Sequence, residues 1–186
     1  MEIDREVLKA LNRLPQPMLI AVSGFGGSGK STIAKELGTY LDAPVIGVDS
    51  FVRNRLSGGT AWDSIDFERL EREVLKPFEI GQSPIVYGHY DWGSNGVIME
   101  PPLENTGKLI VEGVGLFRPE LYKYFSYMLW IDCPIEEAVA RGKKRDREEH
   151  HNPQDEMWDG TWKRNDLEYF ETFKPSEAAN AILRNC

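Results

Sequence analysis

Within eight residues, Gly24-Phe25-Gly26-Gly27-Ser28-Gly29-Lys30-Ser31 brings together four glycines, a lysine and two hydroxyls. The spacing satisfies G-x-x-x-x-G-K-[ST] at every specified position. Each residue type has a reason to be there. Glycines let the backbone fold around an anion and aim its N–H groups inward. A helix starting near Lys30 adds the partial positive charge of its N-terminus. The Lys30 ammonium can reach the terminal phosphates of a nucleotide, and the Ser31 hydroxyl can bind Mg2+. Thr32 supplies a second hydroxyl one position beyond the motif. The expected nucleotide-binding set is Gly24, Gly26, Gly27, Ser28, Gly29, Lys30, Ser31 and Thr32.

Gly24, Gly26 and Gly29 also spell G-x-G-x-x-G, and Asp49 stands 20 residues after Gly29, where a dinucleotide fold places its ribose-binding acid. The Lys30-Ser31 pair is a demand that this fingerprint does not make. It favours the phosphate-loop reading, with ATP as the nucleotide.

Phosphoryl transfer also needs metal ligands and, often, a base for the attacking hydroxyl. Asp49 follows the apolar run 45–48 and should emerge at the carboxyl edge of a sheet beside the loop. There it can accept a hydroxyl proton or hold Mg2+ through water; a turn cap assisted by Ser50 is the alternative. Glu112 ends the run 109–111 and is followed by Gly113. It is the second candidate for Mg2+, against a simple loop ion pair. Asp132 also ends a strand, but Cys133-Pro134 follows it. Aspartate just before a helix-opening proline reads as a helix cap.

Lys143, Lys144, Arg145 and Arg147 cluster in an otherwise acidic chain. A lid over about residues 142–160 could close Arg145 onto the transferring phosphate; a solvated helix end is the alternative. Tyr87, His89, Tyr90 and Trp92 form an aromatic group against which a planar substrate could stack, with Tyr87 the better fit to core packing. His89, His150 and His151 show no zinc-ligand spacing with other His or Cys residues.

These residues must be positioned by regular elements. Ile3, Val7, Leu8, Leu11 and Leu14 recur at helical spacing, before Pro15 and Pro17. Short apolar runs at 18–22 and 45–48 suit buried parallel strands, 109–111 reads as a further core strand, and 128–131 and 181–183 as the next and final strands. Helices are expected over 30–41, 66–78 and 162–173 and after Pro134, and a hairpin over 84–90 and 96–100. Strands alternating with helices predict a single three-layer α/β domain, 1–186, with a mostly parallel five-stranded sheet.

Bulk composition agrees. Charged residues number 22 basic and 30 acidic, a net −8, which disfavours nucleic acid and anionic membranes as partners. Two cysteines, Cys133 and Cys186, are too few for a disulfide framework. The charged first 14 residues lack the pattern of a secretory leader, and no apolar run has the length of a membrane span. The expectation is a soluble, cytoplasmic protein with a small-molecule partner.

Taken together, these segments resemble the uridine kinase-like family of P-loop kinases, within the wider group that includes phosphoribulokinases and pantothenate kinases. Val48-Asp49-Ser50-Phe51 is similar to the family's D-x-F/Y segment, whose Asp is the proposed base. Asp63-Ser64-Ile65-Asp66-Phe67 is similar to an acidic stretch whose first Asp contacts ribose hydroxyls, which points to Asp63. Tyr90-Asp91-Trp92 resembles a segment whose tyrosine lines the nucleoside pocket, and Ile110-Val111-Glu112-Gly113 and Arg145-Asp146 resemble the strand end and the lid. The chain departs at Asn95, where the family places a histidine against the base. It departs again at Glu148, Glu149, His150, His151 and Asn152, where the family's lid carries two more arginines. The resemblance implies an ATP-dependent phosphotransferase whose acceptor, bound near Asp63, Tyr90 and Asn95, is a riboside or polyol. A regulatory ATP-binding protein without an acceptor is the alternative.

Overall fold

In a computed structural model, residues 3–53, 64–91 and 93–186 are described. Five parallel strands form one sheet in the order β2-β5-β1-β6-β7. They are β1 (Met18–Gly24), β2 (Val45–Gly47), β5 (Lys108–Glu112), β6 (Tyr127–Asp132) and β7 (Ala181–Arg184). Central β1 is buried along its whole length, as a parallel strand covered on both faces should be.

Alternation along β1 divides the core in two. Leu19 and Ala21 join Val111, Trp130, Leu70, Val74 and Tyr169 on one face. Met18, Ile20 and Val22 join Ile110, Leu129 and Ile131 on the other, under Val7 and Leu11 of α1 (Arg5–Leu11) and Ile33, Leu37 and Leu41 of α2 (Lys30–Leu41).

The expected helix over 66–78 forms from α3 (Phe67–Leu70), a π-helical turn (Glu71–Leu75) and α4 (Lys76–Glu79). Asp66 caps its start, accepting from Arg69 N–H at 2.9 Å. Pro77 accounts for the wide turn. Its ring would clash with the carbonyl of Glu73 in a regular α-helix, and Glu73 lies in the π segment. The expected hairpin is the antiparallel pair β3 (Gly88–Asp91) and β4 (Gly96–Met99), with Tyr90 opposite Val97.

After β6 comes α5 (Ile135–Glu148), which runs straight through the basic cluster. The late helix starts earlier than its composition predicts. It consists of α6 (Asp155–Met157), a π-helical turn (Trp158–Trp162) and α7 (Lys163–Phe173), followed by α8 (Pro175–Ala178). The polar stretch before Trp162 hides one anchor. Trp158 is buried, and a Cβ added to Gly142 of α5 would stand 2.4 Å from its ring. The segment expected as a lid is thus the end of α5, a short link and this helical start.

Asp132 is not the cap of α5. Pro134 occupies that position with no capping side chain, and the Asp132 carbonyl accepts Asn185 N–H at 2.9 Å instead. β7 carries Cys186 back to Cys133, and the two form a disulfide with Cα atoms 5.5 Å apart, a pairing that their separation in sequence concealed. No helix among the described residues is long and apolar enough to cross a membrane.

Candidate active site

The loop between β1 and α2 is shaped by its glycines. Gly29, in the left-handed region at φ 90°, is the N-cap of α2. Gly27 also has positive φ, and a Cβ there would lie 2.0 Å from the Ala138 carbonyl of α5. Any side chain at this position would push the loop off that helix. Within the loop, Ser28 N–H donates to Phe25 O at 3.0 Å, and Lys30 Nζ donates to the same oxygen at 3.4 Å. Lys30 is therefore folded over its own loop, with its charge at the mouth of α2.

Sheet register delivers the carboxylates. Glu112, last in β5, lies opposite Val22 of β1 and Gly47 of β2. Gly47 passes the chain into a 3-10 turn (Val48–Phe51), whose second residue is the exposed Asp49. Gly113 permits a close approach here: a Cβ on it would stand 2.0 Å from Val48. Burial pushes the Glu112 carboxyl above its usual range and neighbouring Asp49 adds to this, while the Lys30 charge and the nearby Ser31 hydroxyl oppose it. Lys30, Ser31, Asp49 and Glu112 therefore share one electrostatic site at the carboxyl edge of the sheet. The buried Oε2 of Glu112 has no hydrogen-bond partner among the described residues, and together with Ser31 Oγ it forms a hard oxygen donor set of the kind Mg2+ takes.

The remaining expected residues divide. Tyr90 is buried and its hydroxyl donates to Asn95 Oδ1, so those two are brought together on the hairpin. Asp63 and Trp92 lie outside the described residues. Thr32 is exposed on the first turn of α2. Arg145 lies on α5, bonded to Asp146 Oδ1 at 3.0 and 3.2 Å and set 5.9 Å above the Trp158 ring. Asp146 in turn accepts Trp158 Nε1–H at 2.7 Å.

Three residues at the site escaped sequence reading. Arg69 is buried, donates to Ser50 O at 2.6 Å and Gly88 O at 3.2 Å, and covers the Phe51 ring at 4.7 Å. It ties the Asp49 turn to the hairpin. Asn185 Nδ2 donates to Ser28 O at 2.7 Å. Asp166 Oδ2 accepts Gly26 N–H at 2.6 Å. Of these, Asp166 left a trace in the sequence, since it stands at i with Tyr169, Phe170 and Phe173 at i+3, i+4 and i+7, on the apolar face of its helix.

Burial pushes the Asp166 carboxyl up to about 6, against the opposing pull of the Gly26 N–H and the Lys30 charge. A carboxyl raised on folding is protonated in the native state while the unfolded chain already ionises. Stability should therefore fall as pH rises from about 4 to about 6 and level off above. Urea denaturation of wild type and Asp166→Asn across pH 4.5–7 (an approximate window set by the linkage) should show a wild-type excess loss of at most roughly 3 kcal/mol. A pH-independent difference between the two proteins would contradict the shift.

A parallel α/β sheet with this loop after its central strand and acids at neighbouring strand ends has the fold of P-loop kinases. No protein-family model matches the chain. Among curated proteins, a 2-phosphoglycerate kinase from Methanopyrus kandleri is 29% identical over 148 residues, which is 68% of this chain and 43% of that protein. The chain thus matches less than half the length of this relative. Among solved structures, a candidate uridine kinase from Bacillus stearothermophilus superposes with a TM-score of 0.70 at 17% identity, covering 96% of this chain and 99% of that one. A candidate fructose transport system kinase from Silicibacter sp. TM1040 superposes with a TM-score of 0.71 at 23% identity, covering 95% of each.

Proposed function

We propose that the chain, as a single kinase domain, transfers the γ-phosphoryl group of ATP to a hydroxyl of a small metabolite. The supporting observation is the placement of Lys30, Ser31 and Asp49 beside the half-buried Glu112, at the carboxyl edge of the sheet where β1, β2 and β5 end.

In this reading, the loop amides and Lys30 bind and orient the triphosphate. Ser31 and Glu112 would hold Mg2+, which neutralises charge on the phosphates. Asp49 accepts the proton of the acceptor hydroxyl as its oxygen bonds to the γ-phosphorus and the bond to ADP breaks. Arg145 reaches the transferring group by leaving Asp146, and Tyr90 and Asn95 line the acceptor side; Asp63, outside the described residues, takes the hydroxyl-binding role only as the family resemblance implies.

The acceptor class we favour is a riboside or similar polyol, as the resemblance to uridine kinase-like enzymes suggests. Asn95 stands where a histidine would face the base, so uridine itself should be a poor substrate. The test is kcat/KM for uridine, cytidine, other ribosides, simple polyols and 2-phosphoglycerate. Turnover of a riboside or polyol, with uridine far below the common kinase range of about 1–100 s⁻¹, is the expected result. Efficient uridine turnover would refute the role given to Asn95. Steady ATP hydrolysis with every acceptor inert would favour a regulatory ATPase.

A further inference from the structure

Phosphotransfer as proposed does not use Asp166, yet this acid is the most unusual group beside the phosphate loop. It lies 140 residues from Gly26 in sequence, on α7, and is 6% exposed. A buried carboxylate is costly unless it is paired. An apolar residue at this face of the helix would fill the space at lower cost if packing were the whole purpose. The carboxylate instead takes a loop N–H at 2.6 Å, within the field of Lys30. The loop is enclosed at the same point, since a Cβ on Gly26 would stand 3.0 Å from the Trp158 ring and 3.4 Å from Asp166 Oδ2. On its other side Asn185 holds Ser28 O. A glycine-rich loop has many accessible backbone conformations, and fixing one before the ligand arrives lowers the cost of binding.

We infer that Asp166 is a positioning residue for the nucleotide. By accepting the Gly26 N–H, it holds the first half of the phosphate loop in the conformation that presents the following amides to the phosphates. Asn185 anchors the second half. The inference rests on the ATP-binding reading above.

The test is calorimetric titration of Mg·ATP and Mg·ADP into wild type, Asp166→Ala, Asp166→Leu and Asp166→Asn at neutral pH, with the melting temperature of each free protein measured alongside. Leucine fills the space without an acceptor, so it stands in should the alanine variant fail to fold. Asparagine keeps a carbonyl oxygen for the same N–H. Ala and Leu should raise Kd for both nucleotides about tenfold, the size of one lost hydrogen bond to a charged group. Asn should stay within about threefold of wild type by restoring a neutral bond. A purely structural acid would lower melting temperature without this rescue of affinity. Wild type that binds no nucleotide would overturn the ATP reading itself. Wild-type affinity in Ala or Leu would overturn the positioning role alone, and so would equal losses in Asn and Leu. Tighter binding in Ala or Leu would also overturn it, by showing that the carboxylate competes with phosphate for the loop.

Discussion

Lys30→Ala should leave a folded protein whose Kd for Mg·ATP is raised roughly a hundredfold and that turns over no acceptor. The side chain is half-buried at the first residue of α2, and its ammonium rests 3.4 Å from Phe25 O. That contact is long and its acceptor is an uncharged carbonyl, so little native stability depends on it. Removing a hydrogen-bonding charge from a phosphate site costs up to about 3 kcal/mol, which is roughly a hundredfold in Kd. The consequence for catalysis is larger, since charge builds on the phosphoryl oxygens as the bond to ADP breaks. A second effect follows from the coupled charges. Without Lys30, the carboxyl of Glu112 loses the main influence opposing its burial and should protonate more readily, which weakens the metal site too. Isothermal titration with Mg·ATP and a melting curve of the free protein check this. Unchanged affinity would remove the loop from nucleotide binding.

Asp49→Asn should separate binding from chemistry. Asp49 is exposed on the turn after β2, outside the glycine loop. Converting its carboxylate to an amide keeps size and turn geometry but removes the proton acceptor. General-base catalysis contributes about 10²–10⁴ in rate, or roughly 3–5 kcal/mol of barrier. With a productive acceptor, kcat should fall at least about a hundredfold while Kd for Mg·ATP stays near wild type. A loss below about tenfold, less than 1.4 kcal/mol of barrier, would return Asp49 to a capping role. A large rise in Kd with kcat preserved would place it on the metal.

Much of the frame could be read from residue types. The five strands, the glycine loop, α2 and the hairpin all follow from short apolar runs, helical periodicity and turn residues. The ends of β1 and β5 differ from the expected ones by one or two residues, while the first strand of the hairpin begins four residues later than expected, at Gly88. The start of the last long helix was hidden because its anchor is a contact, Trp158 against Gly142, rather than a periodic run. Asp132 was misread because its place before Pro134 imitates a cap, whereas its carbonyl is used by the strand that returns at Asn185.

By itself, the sequence determined the phosphate loop, the strand-end acids Asp49 and Glu112 and the parallel α/β order, since each depends on neighbours within a few positions. Only the tertiary structure decided which distant groups meet at the loop. Asp166 on Gly26, Asn185 on Ser28 and Arg69 across Ser50 and Gly88 are polar contacts between elements far apart in the chain. No local propensity encodes such contacts; they exist because packing α7 and β7 against the sheet buries these groups and leaves each needing a partner.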